Sequence, residues 1–387
     1  MQSWVAAGTV SWFGDAVFTI ALAWTAVHLL APALAGLVVG IQTLPQAVLT
    51  LAGGAIADRV DTRRIMLAGE LGRIIVLAAA TTAWLSGSHT AAVLFTVAVA
   101  FGIAAGLSNP ARATLARQLV RTPDVVVVGG WNQIGNRFAR LAGAPVGAIL
   151  VAACGLGPAM VIDAATFALV AVVLITVIRP RYALPRSPTA PWRSTAREGI
   201  SYLVCAPAAG WLTLGLSSLN VFVSPVIAVG VALRVARSGW GASWVGIAEA
   251  SFALAAIAGS TVAIRWRRGH LATRAFWLLA LQGIALTGVG VASRISLITA
   301  MVIIGAVAGM ASVWLSGLFQ QTIEPSYLGR VSAISQLGDL SLTPLMLPLF
   351  GVIVAGTSLL TATAACGVAM TVLCTFFALR PAIRGLC

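Results

Sequence analysis

Four carboxylates, Asp15, Asp163, Glu249 and Asp339, stand inside long apolar runs of the chain, and two guanidiniums, Arg137 and Arg140, share that setting. Holding a charge in hydrocarbon costs at least about 2.5 to 3.5 kcal/mol, so an ionisable residue there is a candidate for function by default. Burial disfavours the charged form of a carboxyl group, whereas a nearby guanidinium favours it. An acid that gains and loses an arginine partner as a protein changes shape therefore loads and releases a proton. That is the chemistry a gradient-driven exchanger needs. The structural alternative is a permanent arginine–carboxylate pair that only neutralises two buried charges.

Other chemistries lack their residues. All 24 basic side chains are arginine, so the lysine of a G-x-x-x-x-G-K-[ST] phosphate loop is missing and transport must draw on a gradient rather than on ATP. There is no G-x-S-x-G nucleophile elbow and no His–Cys pairing at catalytic spacing, so the chain does not read as an enzyme; an intramembrane enzyme is the alternative class. Cys154, Cys205, Cys366, Cys374 and Cys387 form no C-x-x-C pair, and His28, His89 and His270 lie far apart. No metal site and no cofactor are expected from such spacing.

The elements that must position the acids are membrane-spanning helices. Of 387 residues 59% are hydrophobic and only 9% charged, with a mean hydropathy of +0.99, against roughly 25% charged residues in soluble domains. A span needs about 20 apolar residues, so this length holds about twelve and leaves no room for a soluble catalytic domain. Apolar runs lie at roughly 5–29, 34–57, 65–86, 90–111, 126–153 and 157–178, then at roughly 206–233, 242–264, 273–292, 295–318, 331–355 and 358–379. The first run begins almost at the N-terminus without the basic flank of a cleaved signal, and reads as a retained span. Between the two sets, Arg179, Arg181, Arg186, Arg193 and Arg197 mix with Pro180, Pro185, Pro188 and Pro191. The expected organisation is an N-terminal six-helix bundle at 1–178, a cytoplasmic linker at 179–205 and a C-terminal six-helix bundle at 206–387. Trp84, Trp211, Trp240 and Trp244 fall near span ends, as interfacial anchors do.

The formal charge of +14 would suggest nucleic acid in a soluble protein. Here the arginines sit in short alternate loops: Arg59, Arg63 and Arg64; Arg117 and Arg121; the linker; Arg265, Arg267, Arg268 and Arg274; Arg330; Arg380 and Arg384. The opposite loops hold only Arg234, Arg237 and Arg294. This is the distribution that orients a membrane protein, and it puts both termini and the linker in the cytoplasm; no nucleic-acid partner is expected. At 1.5 Å per residue Asp15 lies about 16 Å above the cytoplasmic end of its span, with Arg137 at similar depth, in a core about 30 Å thick. By the same rise Arg140, Asp163 and Glu249 lie at about 21–23 Å and Asp339 at about 12 Å.

The halves also read as a duplication. Ala52, Gly53, Ala57 and Arg59 match Ala258, Gly259, Ala263 and Arg265, helix end on helix end. In the first copy the loop Gly54 to Arg64, GAIADRVDTRR, resembles the signature G-x-x-x-D-R-x-x-x-R-R of the major facilitator superfamily. Gly54 permits close packing, Asp58 can face the positive end of a helix, and Arg59, Arg63 and Arg64 pin the cytoplasmic gate. In the second copy Ile264 replaces the acid. RLAGAPVG, from Arg140 to Gly147 with Gly143, Pro145 and Gly147, is similar to the Gly-Pro element of the superfamily's antiporters, although Ala144 stands where glycine is usual. Gly14 with Asp15, Asn109-Pro110-Ala111, Glu198-Gly199 and LGRVSAISQLGD from Leu328 resemble the enterobactin-exporter and macrolide-efflux branch.

The resemblance implies an all-α membrane protein of two pseudo-symmetric six-helix bundles. It also implies alternating access and proton-driven export of small, largely apolar molecules such as drugs, siderophores or natural products. An importer or lipid-moving transporter of the same fold is the alternative. The partners it implies are a small-molecule substrate, protons and the lipid bilayer, with the chain a monomer in the bacterial cytoplasmic membrane. Asp15 lies on a span that resembles a cavity-lining helix and reads as functional. Asp163 lies on a span that is peripheral in the family and reads as a structural pair, while for Glu249 the two readings balance. Trp12, Thr19 and Leu22 share the face of Asp15; Phe101, Asn220 and Trp314 lie in other spans that the resemblance places around the cavity. Each of these is more often simple packing than a ligand contact.

Overall fold

The structure, a computed structural model, describes residues 2–46, 48–49, 61–120, 125–179, 192–266, 269–324 and 327–385. Gly54, Asp58 and Arg59 therefore lie outside the described residues, as does the side chain of Asp339. The described chain is helical: α1 Gln2–Leu29, α2 Pro32–Ile41, α3 Thr62–Leu85, α4 Ala91–Leu119, α5 Val125–Cys154, α6 Leu156–Thr176, α7 Trp192–Cys205, α8 Pro207–Pro225, α9 Val231–Arg237, α10 Ser243–Arg265, α11 Leu271–Gly290, α12 Arg294–Thr322, α13 Leu328–Gly356, α14 Leu359–Leu379 and α15 Pro381–Arg384. Among the described residues ten helical stretches are long and apolar enough to cross a membrane. Of the two other expected spans, the run at 34–57 includes residues 47 and 50–60, which lie outside the described set, and α13 covers the run at 331–355.

Several helices outrun the apolar stretches that announce them. The fourth continues to Leu119 and the tenth span to Thr322. One helix is additional: α7 occupies the end of the arginine- and proline-rich linker. Between α8 and α9 the chain takes a π-helical turn at Val226–Gly230, directly after Pro225. A proline cannot donate to the helix ladder, and a widened turn is one way to absorb the mismatch.

Two compact units emerge, residues 1–187 with 235–250 and residues 188–234 with 251–387. Residues 235–250, which follow the linker in sequence, thus belong to the first unit. In that unit α1 packs against both α5 and α6, and α3 packs against α4 and α6. Val17, Phe18, Leu22, Leu77, Leu94, Phe101, Met160 and Phe167 form its apolar core. In the second unit α11 lies against α12 and α14, while α13 lies against α7 and α8; Phe276 and Phe377 stack there with ring centroids 5.3 Å apart. Large apolar side chains such as Ile75, Ile149, Leu254, Ile284 and Val368 remain exposed, as expected of surfaces that face lipid tails.

Small residues let the helices meet backbone to backbone, which dominates packing where no hydrophobic effect operates between spans. A Cβ on Gly147 of α5 would fall 2.5 Å from Val17 O and 2.9 Å from Val17 Cα, and one on Gly143 would fall 2.8 Å from both Ala16 Cβ and Phe13 O. The same device recurs in each half. Gly102 and Gly106 of α4 abut the backbone of Gln42 and Gln46, while Gly305 and Gly309 of α12 abut that of Phe252 and Ala256. Gly155, at φ 77°, turns the chain from α5 into α6 within a single residue, a conformation that costs other residues more than glycine.

Candidate functional site

Within the first unit, polar side chains from five helices gather in an otherwise apolar bundle. Ser11 and Asp15 stand one turn apart on α1. Glu70 and Arg73 lie on α3, Ser108 and Arg112 on α4, Arg140 on α5, and Asp163 and Thr166 on α6. Glu70 is completely buried, with its Oε2 3.8 Å from Arg73 Nη1 and its Oε1 3.4 Å from Arg112 Nη2. The arginines are held partly by rings. Arg73 lies 4.9 Å from the centroid of Phe167 and 5.9 Å from that of Phe101, and Arg112 lies 5.5 Å from that of Trp12. Such cation–π contacts partly replace the water that a buried guanidinium has lost.

Asp15 is half-buried, and the charges of Arg73, Arg112 and Arg140 all act on it. Asp163 is fully buried and sits against the α1 backbone: a Cβ on Gly14 would fall 2.6 Å from its Oδ1. Among the described residues neither Asp15 nor Asp163 is in ion-pair contact with a guanidinium. Three carboxyls, of Asp15, Glu70 and Asp163, therefore face two enclosed guanidiniums, of Arg73 and Arg112. Arg140, which also acts on Asp15, is exposed; the enclosed groups alone are electroneutral with one proton bound.

The expected site residues divide accordingly. The structure brings Asp15, Asp163, Arg140 and Trp12 together, and places Glu249, also in the first unit, within reach of the charge of Arg140. Arg137 and Thr19 are exposed. Leu22 and Phe101 are buried in the apolar core, with Phe101 against Phe18 at 5.0 Å. In the second unit Asn220 is exposed, whereas Trp314 is buried and donates its indole N–H to Ala263 O at 3.0 Å. Gly143 and Gly147 bring α5 onto α1 beside Asp15, and Pro145 lies within the helix between them. Of the gate arginines, Arg64 is exposed, and Arg63 donates from Nε and Nη2 to Leu174 O and Ile175 O, both at 2.6 Å. Those carbonyls close α6, so Arg63 caps that helix end.

The model of the Major Facilitator Superfamily matches residues 5–339. The chain belongs to the major facilitator superfamily. A curated relative, the "Uncharacterized MFS-type transporter YfiS" of Bacillus subtilis (strain 168), is 27% identical over 350 residues, covering 86% of this chain and 81% of the relative. Solved structures share the fold. A point mutant of the nucleoside transporter NupG superposes with a TM-score of 0.74 at 13% identity, over 98% of this chain and all of that one. A bacterial homologue of the iron transporter ferroportin, inward-facing, gives 0.74 at 16% identity over 98% of each chain. A bacterial homologue of the lysosomal transporter Spinster gives 0.71 at 16% identity over 99% and 97%.

This major facilitator chain is thus a multi-pass membrane transporter of the all-α fold and not an enzyme; its substrate is a small molecule. The charged residues of its first unit that sequence reading overlooks are Glu70, Arg73 and Arg112. A signal for them existed. Glu70 and Arg73 are an i,i+3 pair of opposite charge on one helix face, inside the span expected at 65–86, and Arg112 directly follows the Asn109-Pro110-Ala111 element.

Proposed function

We propose that this transporter is a proton-coupled exporter of small, largely apolar molecules, working by alternating access as a monomer in the bacterial cytoplasmic membrane with both termini inside. One observation carries the reading: three carboxyls meet two enclosed guanidiniums in the first unit, so these enclosed groups, with Arg140 exposed beside them, are neutral only when protonated once. A charge left unbalanced in a low-dielectric bundle is costly, and binding or losing that proton changes which arrangement of helices is cheapest. Asp15, half-buried and acted on by three arginines, is the group through which the proton exchanges. Trp12 and Phe13 beside it offer apolar surface for a ligand, worth about 25 cal/mol per Å² buried. The Gly143-Pro145-Gly147 element, in contact with α1 next to Asp15, favours export over import.

The test is transport of a panel of lipophilic fluorescent compounds into proteoliposomes of known orientation, driven by a pH gradient of either sign. Export by antiport gives uptake into inside-out vesicles only when their lumen is acid. Uptake that follows the proton inward would make the protein an importer, and uptake indifferent to pH would remove the proton.

A further inference from the structure

We propose that Asp15 and Asp163 form a proton-sharing carboxyl pair across the α1–α6 contact, with Asp163 the inner store from which Asp15 is recharged. This rests on the proton-coupled reading above and names a second acid in it.

Placement comes first. The close approach of Asp163 Oδ1 to Gly14 puts the carboxyl against α1 at the residue before Asp15. Nothing on α6 satisfies it well. Thr166 gives its hydroxyl hydrogen to the Asp163 carbonyl at 2.8 Å and reaches Oδ1 only at 3.4 Å, while Oδ2 is buried with no hydrogen-bond partner. On α1, one turn before Asp15, Ser11 is fully buried and its Oγ is likewise unpartnered. The charged groups that face Asp163 are Asp15 from α1 and Glu70 and Arg73 from α3. Two of the three are acids. Arg73 is already in ion-pair range of Glu70 and stacked on Phe167.

A permanent arginine pair, the structural role the sequence suggests for Asp163, therefore lacks its arginine in contact. Two neighbouring carboxyls in such a place do not both ionise, and their protons belong to the pair rather than to either residue. The pair is also asymmetric. Asp15 is half-buried and has Arg73, Arg112 and Arg140 acting on it, so it is the member open to exchange; Asp163 is enclosed. In the recharging step the O–H bond of protonated Asp163 breaks and an O–H bond forms on the Asp15 carboxylate. The negative charge passes to Asp163, where Arg73 is the nearby cation, and nothing else is consumed or released.

The experiment is an infrared pH titration of the purified protein in lipid nanodiscs, following the protonated-carboxyl C=O band in wild type, Asp15→Asn and Asp163→Asn. It uses neither substrate nor gradient. A pair interacting by more than about one pK unit loses its band in two steps in wild type. Each variant should then keep one step, and neither should reproduce the upper wild-type step: the remaining acid no longer ionises beside a charge, so both variant steps lie about a pH unit or more below it. Independent acids would leave the upper wild-type step unmoved in one of the two variants, and that outcome overturns the pair. Should Asp163→Asn fail to insert, Asp163→Ser takes its place under the same criterion. An upper step lost from both variants with no proton-driven transport would retain the pair and remove the exporter reading; proton-driven export with the upper step kept in one variant would do the reverse.

Discussion

Arg112 Nη2 lies 3.4 Å from Glu70 Oε1, tying α4 to α3 inside the first unit, with the Glu70 side chain wholly buried and that of Arg112 only 18% exposed. The contact is long for a charge-assisted hydrogen bond, which favours about 2.7–2.9 Å, so Coulomb attraction rather than ideal geometry dominates it. Removing one partner of a buried pair costs about 3–5 kcal/mol because the other charge is left uncompensated. Arg112→Met should therefore lower the apparent melting temperature sharply. Glu70→Gln in that background should restore part of the loss, because it removes a buried carboxylate left with Arg73 alone. Thermal unfolding in detergent of the two single variants and the double checks this, with a coupling of about 0.5–3 kcal/mol expected. Additive effects would show that the two residues do not act as a pair.

The Gly143-Pro145-Gly147 element gives a prediction about packing rather than charge. A methyl group at residue 147 has no room against Val17, and overpacking costs about 1–3 kcal/mol. Gly147→Ala should destabilise the protein and slow transport by displacing α1 beside Asp15. Gly72 of α3 is the control, since a Cβ there would meet nothing within 4 Å; Gly72→Ala should be neutral or stabilising by up to about 1 kcal/mol, the helix propensity difference. Equal effects at the two glycines would mean that close approach to α1 is not what residue 147 provides.

How much of this was written in the sequence depends on the length scale of each signal. The spans were legible because a membrane demands about 20 apolar residues in a row, and the family because GAIADRVDTRR and RLAGAPVG are local patterns. Asp15 and Asp163 announced themselves as lone acids in apolar runs. Glu70 and Arg112 did not, for a physical reason: each stands near an end of an apolar run, where a charge reads as headgroup-facing, and only the continuation of α4 to Leu119 carries Arg112 into the bundle. Helix α7 was hidden for the opposite reason. It is an amphipathic helix of 14 residues, too short and too polar to register as a span, in a segment whose prolines suggest a loop. Pairing across helices, such as Asp163 against Gly14, has no sequence period at all and emerges only from the fold.

Where α7 meets the start of α13, the structure allows two contacts to be ranked. Glu198 and Arg330 form an ion pair at 3.2 Å, but their side chains are 55% and 36% exposed, and such pairs are worth about 0–1 kcal/mol. Tyr202 stacks on Tyr327 with centroids 4.4 Å apart at 11°, and its hydroxyl accepts a hydrogen bond from the Glu324 N–H at 3.1 Å; aromatic pairs add about 0.5–1.5 kcal/mol beyond their buried area. Tyr202→Ala should therefore raise hydrogen exchange along α7 several-fold more than Glu198→Gln does. Greater exchange in Glu198→Gln would assign the docking to the ion pair instead.

Arg63 anchors the start of α3 to the end of α6 through two hydrogen bonds at 2.6 Å to Leu174 O and Ile175 O. A guanidinium offers two parallel donors in a fixed fork, which a lysine ammonium does not reproduce. Both Arg63→Lys and Arg63→Gln should then increase amide exchange in the last turn of α6, although Lys preserves the charge. If Arg63→Lys protects α6 as well as wild type does, charge alone closes that helix and the fork is irrelevant.

Asp15→Asn separates coupling from folding. Asparagine matches the shape of the protonated acid and leaves Gly14 and Ser11 in place, so insertion and apolar ligand binding should persist. The neutral form is also the cheap one in a bundle, which argues against gross destabilisation. On the proposed proton-coupled reading the variant loses the exchangeable proton: of the enclosed groups, Glu70 and Asp163 then face Arg73 and Arg112 in balance, and no charge change accompanies the rocking of the helices. Uphill transport driven by a pH gradient should fall at least tenfold, whereas exchange between equal pools of a labelled lipophilic compound should remain near the wild-type rate. The two assays run side by side in the same proteoliposomes decide the matter. Uphill pumping at the wild-type rate by Asp15→Asn would move the coupling acid elsewhere, with Glu249, which also feels Arg140, the next to test.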